Sequence, residues 1–240
     1  MTLQRLLSYV RRAVDDYSMI GGDGGRIAVG VSGGKDSLAL LTALAEMRRF
    51  YPKKYEVCAV TASLGFPGMD FGAVREYCER LGVDYSVVET DIGPIVFDER
   101  KEDNPCSLCS KMRKGALHDE AVRLGCNKVA LGHSRDDAVE TLFMSLFYEG
   151  RIHTFAPVTY LDRKGLYSIR PLVYAPEREI SAFAKKYGLP VVANPCPANG
   201  GTKRQEIKEF VAGMTAKFPR FSETTFGAVA RGIKGWEQPK

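Results

Sequence analysis

Arg26-Ile27-Ala28-Val29-Gly30-Val31-Ser32-Gly33-Gly34-Lys35-Asp36-Ser37-Leu38-Ala39-Leu40-Leu41 decides how this chain folds. A short apolar β-type run ends in Ser-Gly-Gly, and helix-forming leucines and alanines follow as far as Leu44, so the stretch reads strand, tight turn, helix. Gly33 and Gly34 let backbone N–H groups crowd round an anion with no Cβ in the way. The helix behind them adds its unpaired first-turn amides and the positive end of its dipole. Ser32 and Ser37 offer hydroxyl donors, Lys35 a cation and Asp36 a candidate magnesium ligand. The spacing matches neither Gly-x-x-x-x-Gly-Lys-Ser/Thr nor Gly-x-Gly-x-x-Gly, the two commoner glycine loops. It is nevertheless a phosphate cradle.

Outward from this stretch the pattern alternates. Residues 55–62 and 83–89 read as further strands, with a helix over 71–81 between them. Residues 93–110 read as a loop, 110–125 as helix, 128–132 as a fourth strand and 136–148 as helix. A short fifth strand near 167–169 precedes a helix over 176–187 and the run Leu189-Pro190-Val191-Val192. Strands alternating with helices predict an α/β fold, a doubly wound parallel sheet of about five strands with ligands at the strands' carboxyl ends. Upstream, Leu3, Leu6, Leu7, Val10 and Val14 give an amphipathic helix within residues 1–20, and Gly21 to Gly25 form a loop. The expected organisation over 1–240 is one domain: that helix, an α/β core over 25–200, and a C-terminal helix with a loosely held polar tail over 201–240.

The 240 residues include 45% hydrophobic and 26% charged ones, ordinary for a globular chain. No apolar run approaches the ~20 residues needed to span a bilayer. The charged N-terminal pattern is unlike a signal peptide, so the expected location is cytoplasmic. A net charge of +5 permits a polyanionic partner without requiring one.

Six cysteines without a secretion signal point to thiols or metal ligands rather than a disulfide framework. Cys106-Ser107-Leu108-Cys109 brings two sulfurs within one turn, and Cys196 lies in a second proline-bounded loop at the same end of the sheet. Three sulfurs suit a cluster with one iron left open better than a closed four-ligand zinc site. A dithiol that carries sulfur as persulfide is the alternative. Cys58, Cys78 and Cys126, in or beside regular elements, read as small buried hydrophobes.

A third motif, Gly132-His133-Ser134-Arg135-Asp136-Asp137-Ala138-Val139-Glu140-Thr141, runs from strand end into helix, where Asp136 suits an N-cap. Ser32–Ser37 resembles the pyrophosphate loop of the PP-loop ATP pyrophosphatases. Together with Cys106/Cys109 and their tail Lys111-Met112-Arg113-Lys114, Gly132–Thr141, Ile169-Arg170-Pro171-Leu172, and Cys196 with Lys203-Arg204-Gln205, it resembles the tRNA 2-thiocytidine synthetases from about Arg11 to Phe210.

That resemblance implies ATP and magnesium at Ser32, Gly33, Gly34, Lys35, Asp36 and Ser37, and attack of the C2 oxygen of a tRNA pyrimidine on the α-phosphate. It also implies a 4Fe–4S cluster on Cys106, Cys109 and Cys196 that delivers sulfur and displaces AMP. Lys35 would balance phosphate charge, and Asp36, Asp136 and Asp137 are candidates for magnesium or for orienting ATP. The family commonly has a second histidine where this chain has Ser134, which leaves His133 alone for the adenine side. Longer members carry a C-terminal extension of which this sequence has little, and the additional paired cysteines of zinc-bearing thiouridine relatives are missing. The implied partners are tRNA and a sulfur donor (a cysteine desulfurase or free sulfide), with a homodimer as the family expectation. Arg11, Arg12, Lys111, Arg113, Lys114, Lys203 and Arg204 are the candidate RNA-facing cations. Competing readings keep the chemistry but change the acceptor to another tRNA pyrimidine or a small molecule. A further one makes the chain a nucleotide- and redox-sensing iron–sulfur protein without turnover.

Overall fold

The computed structural model describes residues 1–21, 24–100, 105–193, 195–198 and 202–238. Six strands form one sheet in the order β3-β2-β1-β4-β6-β5: β1 Arg26–Gly30, β2 Glu56–Ala62, β3 Asp84–Val88, β4 Lys128–Ala130, β5 Val158–Leu161 and β6 Leu166–Ile169. All neighbouring pairs are parallel except β5 with β6, where Val158 faces Ile169 and Leu161 faces Leu166 across a hairpin. The sequence predicts about five strands; the sixth is this antiparallel edge. Its four residues expose Thr159 and Tyr160, so no apolar run announces it.

Alternation along the strands separates two apolar layers. Ile27, Val29, Val57 and Ala59 face one cluster, which takes in α1 (Leu3–Asp16), α2 (Lys35–Met47), α3 (Gly72–Leu81) and α7 (Glu177–Lys186). Ala28, Cys58, Val60 and Val129 face the other, under α5 (Pro105–Arg123). α2 buries ten of its thirteen residues, which is why its sequence from Leu38 to Ala45 is almost unbroken in apolar side chains. α1 docks through Leu6, Val10, Ala13 and Val14, and Thr2 caps it by accepting from Arg5 N.

Residues 93–110 are not a loop. A short turn, α4 (Ile92–Pro94), continues as one π-helical turn over Ile95–Glu99, and α5 begins at Pro105, so both Cys106 and Cys109 sit in its first turns. Residues 101–104 of that stretch lie outside the described residues. Proline is a good first helical residue, because its φ is preset and its missing N–H has no partner to lose there. The run Leu189–Val192 is not a strand either; Val192 N donates instead to Gly33 O at 2.9 Å, laying this segment across the glycine loop. Of the loops at 21–25 and 194–197, Gly22, Asp23 and Asn194 lie outside the described residues.

α6 (Arg135–Glu149) follows β4, and two helices, α8 (Lys203–Lys217) and α9 (Phe221–Gly232), pack on it. In place of a loosely held tail, the chain returns after α9 to bury Trp236, whose indole N–H donates to Phe155 O at 2.9 Å. Among the described residues no helix is long and apolar enough to cross a membrane.

Candidate nucleotide and sulfur site

Strand order reverses between β1 and β4, so the loops after these strands diverge and open a crevice at their carboxyl ends. Ser32–Gly34 fills one side of it. Gly33 has φ +79°, and a Cβ there would lie 2.9 Å from Val192 Cβ. Ser37 Oγ donates to Gly34 O at 2.8 Å and accepts from Ser32 N at 3.2 Å, which closes the loop onto the first turn of α2. Gly132, on the other side, passes so close that a Cβ would stand 2.9 Å from Ser37 N. Both glycines are there because backbone meets backbone or a branched side chain.

Two adjoining cavities share Asp36 and Arg204. The first, about 300 Å³, is lined by the loop and by Val60, Ala62 and Leu131 at an apolar end. Arg113, Lys114 and Arg204 make its remaining wall basic, as a polyphosphate requires. Burial lowers the Lys114 pKa, and Arg170, Arg113 and Arg204 lower it further, so these cations crowd one another in the absence of an anion. His133 lines the same cavity, its ring stacked on Phe155 at 4.8 Å. Burial, then Arg170, pushes its pKa down to about 3, so it is a neutral imidazole, and its Nδ1 has no hydrogen-bond partner.

The second cavity, about 420 Å³, is lined by Lys35, Asp36, Asp137, Glu140, Glu177, Cys106 and Cys196. Lys35 Nζ donates to Glu177 Oε1 at 2.8 Å and to Asp36 Oδ2 at 2.9 Å. Burial alone would lower its pKa; hydrogen bonds to Glu177 and Asp36 win and raise it to about 12. The second Asp36 oxygen, Oδ1, is buried with no hydrogen-bond partner, and burial raises this carboxyl's pKa. A buried carboxylate oxygen facing a phosphate loop is what a magnesium ion would satisfy.

The two other candidate aspartates do different work. Asp137, not Asp136, closes the start of α6. Its Oδ2 accepts from Ser134 N at 2.7 Å, while Ser134 Oγ accepts from Asp137 N at 3.2 Å, a reciprocal capping box with Ser134 as N-cap. The remaining oxygen, Oδ1, accepts from Arg204 Nη1 at 2.8 Å. Asp136 Oδ2 accepts from Glu177 N at 2.7 Å and so anchors the start of α7.

Cys106 and Cys196 line this second cavity, and Cys109 lies close by. The Cys109 thiol pKa is raised by burial, against Leu64, Ile92 and Val96, and by the neighbouring Cys196 and Cys106. Among the described residues no three His, Cys, Asp or Glu side chains surround one point as the ligands of a single metal ion would. A cluster gives each cysteine an iron of its own, so its ligands need only lie near one space; Cys106 and Cys196 line this one, and Cys109 is near enough to both to feel their charge. Cys58, Cys78 and Cys126 are buried in the apolar layers, as their sequence settings predict.

Sequence reasoning missed Glu177 and Glu140 as site residues. Glu177 carries no motif; its carboxylate also accepts from Lys208 Nζ at 2.8 Å, so it joins α2, α7 and α8. Burial and then Asp137 push the Glu140 pKa up to about 7, although Arg204 stands 3.5 Å away. Two of the candidate RNA-facing cations are engaged elsewhere: Arg11 and Arg12 pair with Asp15 and Asp16 along α1, and Arg12 covers the Tyr174 ring.

A family model described as a PP-loop domain matches residues 8–213. The tRNA-cytidine(32) 2-sulfurtransferase of Teredinibacter turnerae is 40% identical over 230 residues, 95% of this chain and 76% of the relative. The protein of the same name from Geobacter sulfurreducens is 38% identical over 229 residues, 94% of this chain and 89% of the relative. Among solved structures, the U34-tRNA thiolase from Methanococcus maripaludis with its 4Fe–4S cluster superposes with a TM-score of 0.75 at 24% identity, over 97% of this chain and 80% of that one. At that identity it speaks for the fold.

Proposed function

The chain belongs to the PP-loop domain family and, within it, to the tRNA-cytidine(32) 2-sulfurtransferases, and from this we propose that it uses ATP to replace the C2 oxygen of a tRNA cytidine with sulfur. One observation carries the reading: the glycine loop and two of the three cysteines, Cys106 and Cys196, line adjoining cavities that share Asp36 and Arg204. An adenylylated oxygen formed in one lies within reach of sulfur held in the other.

ATP would enter with its base at the apolar end, between Val60, Ala62 and Leu131, with neutral His133 at the rim. Its phosphates meet the N–H groups of Ser32–Ser37 and the start of α2. Lys35, kept protonated by Glu177 and Asp36, balances the charge that develops as the base oxygen attacks the α-phosphate and pyrophosphate leaves. Asp36 Oδ1 would hold a magnesium ion, which would offset the charge of the phosphates. Arg113, Lys114 and Arg204 hold the nucleotide and the incoming RNA backbone. Cys106, Cys109 and Cys196 would hold a 4Fe–4S cluster, which supplies iron-bound sulfur for the exchange. That sulfur would come from a cysteine desulfurase or from free sulfide.

Nucleoside mass spectrometry of digested tRNA from cells with and without the gene tests the assignment. Loss of 2-thiocytidine alone is the expected result. Loss of a different thionucleoside would move the target base, and no change in any thionucleoside would overturn the reading. Complementation with Cys106→Ala, Cys109→Ala or Cys196→Ala should leave 2-thiocytidine absent; full activity in any one of them would remove the three-cysteine cluster.

A further inference from the structure

Away from both cavities, beneath the C-terminal end of α5, two thiols face each other. Cys58 in the middle of β2 and Cys126 in the turn before β4 bring their sulfurs to 3.5 Å. Both are buried, with 1% and 6% of their surface exposed, and neither touches the nucleotide loop. Packing alone does not account for their surroundings. The Arg26 guanidinium stands near this apolar layer, held by Leu124 O at 3.1 Å and by Asp84 Oδ2 at 2.7 Å. Its charge favours the thiolate on both sulfurs. The Cys58 thiol, hydrogen-bonded to its partner and buried, is driven upward, while Cys126 is lowered by the same hydrogen bond, so Cys126 is the more acidic of the two.

We propose that Cys58 and Cys126 are a peroxide-sensitive modification site that closes into a disulfide joining β2 to the α5–β4 turn. An S–S bond is about 2.05 Å long, so the sulfurs must close by about 1.5 Å, and because β1 runs between β2 and β4 the turn that carries Cys126 has to move toward β2 as they do. Access comes from the groove lined by Gly25, Arg26, Glu56, Leu124 and Gly125, which opens beside Cys126. The Cys126 thiolate attacks a hydrogen peroxide oxygen; the O–O bond breaks, and the leaving hydroxide takes a proton to become water. Cys126 is then a sulfenic acid. The Cys58 sulfur attacks it, the S–S bond forms, and the sulfenic oxygen leaves as the second water with the Cys58 proton. Two thiols are oxidised and one peroxide is reduced to two waters.

This site stands apart from the thiolation chemistry, and its test needs no tRNA. The purified full-length chain is treated with hydrogen peroxide, unfolded, alkylated and mapped by mass spectrometry. The expected result is a Cys58–Cys126 cross-linked peptide two hydrogens lighter than its reduced parts, with both thiols lost to alkylation and regained after dithiothreitol. Cys58→Ser should lose the cross-link and accumulate oxidised Cys126 instead. Oxidised wild type should also melt above its reduced form, because the bond constrains the unfolded chain. Persistence of both thiols at peroxide levels that oxidise Cys106, Cys109 and Cys196 would overturn the proposal. So would a Cys126 sulfinic acid beside an intact Cys58 in the wild type. If Cys58→Ser fails to fold, the wild-type map alone still decides.

Discussion

Lys35 is held from two sides by carboxylates, and that fixes what its removal should do. With Lys35→Ala, Asp36 and Glu177 would face the phosphates with no cation between them. The rate of adenylylation, followed as pyrophosphate release, should fall ~10²- to 10³-fold. Lys35→Arg should restore little, because a planar guanidinium cannot occupy a point between two carboxylates set for an ammonium. Glu140 gives a prediction with a sign. Its pKa of about 7 in the folded chain lies above the ordinary glutamate value near 4.3, so the folded state binds the proton more tightly. The stability this confers is complete below the ordinary value and is lost as pH rises through 7. Glu140→Gln keeps shape without charge, so its stability relative to wild type should rise between pH 5 and pH 8, by up to ~3 kcal/mol. Urea unfolding at the two pH values measures this; a pH-independent difference would contradict it. Lys35 was legible because the hexapeptide places it beside a glycine turn. Its partner Glu177 was not, because a sequence separation of 142 is closed only by the fold. Nor does a pKa shift show in a residue's letter, since burial of Glu140 is a property of α6, α8 and their packing.

Between β4 and α2 there is room for backbone and nothing more. Gly132→Ala should therefore push the β4 exit away from Ser37, lowering stability by ~1–3 kcal/mol and weakening ATP binding together. Calorimetric titration with ATP and a denaturation curve on the same variant check both. Gly132 was legible as part of a motif, but the reason for it is an approach of two distant segments. β1 and β2 were legible because both are buried on both faces through their middles and read as nearly continuous apolar runs. β5 escaped because a four-residue edge strand shows half its side chains to solvent. The start of α5 escaped because Pro105, Cys106 and Cys109 look like a ligand loop when only residue types are weighed. The structure makes them the first turns of a helix.

At the scale of the molecule, α8 walls one side of the cavities, and a line of rings runs from the C-terminal segment inward. Trp236 meets Phe226 at 5.5 Å, Tyr17 at 6.1 Å and Phe155 at 6.5 Å between ring centres, and Phe155 in turn stacks on His133. Trp236→Ala should cost ~3–5 kcal/mol in urea unfolding, since a fully buried indole and its hydrogen bond are lost at once. A cost under ~1 kcal/mol would mean that the segment is not docked in solution. A single tryptophan among polar residues near the end of a sequence gives no sign of being buried, which is why a loose tail was the natural expectation.

The same chain of rings sets a timetable. A ribosome makes residue 17, then 133 and 155, then 226, and only later 236, so the ring that backs Phe155 emerges after the wall it supports. A nascent chain that has released β1, β4 and the glycine loop already owns the loop amides, Lys35 and Asp36, yet Phe155 and the imidazole on it lack their backing until the indole has cleared the exit tunnel. The imidazole beside the nucleotide loop thus gains its full aromatic backing only after α8 and α9 have been made.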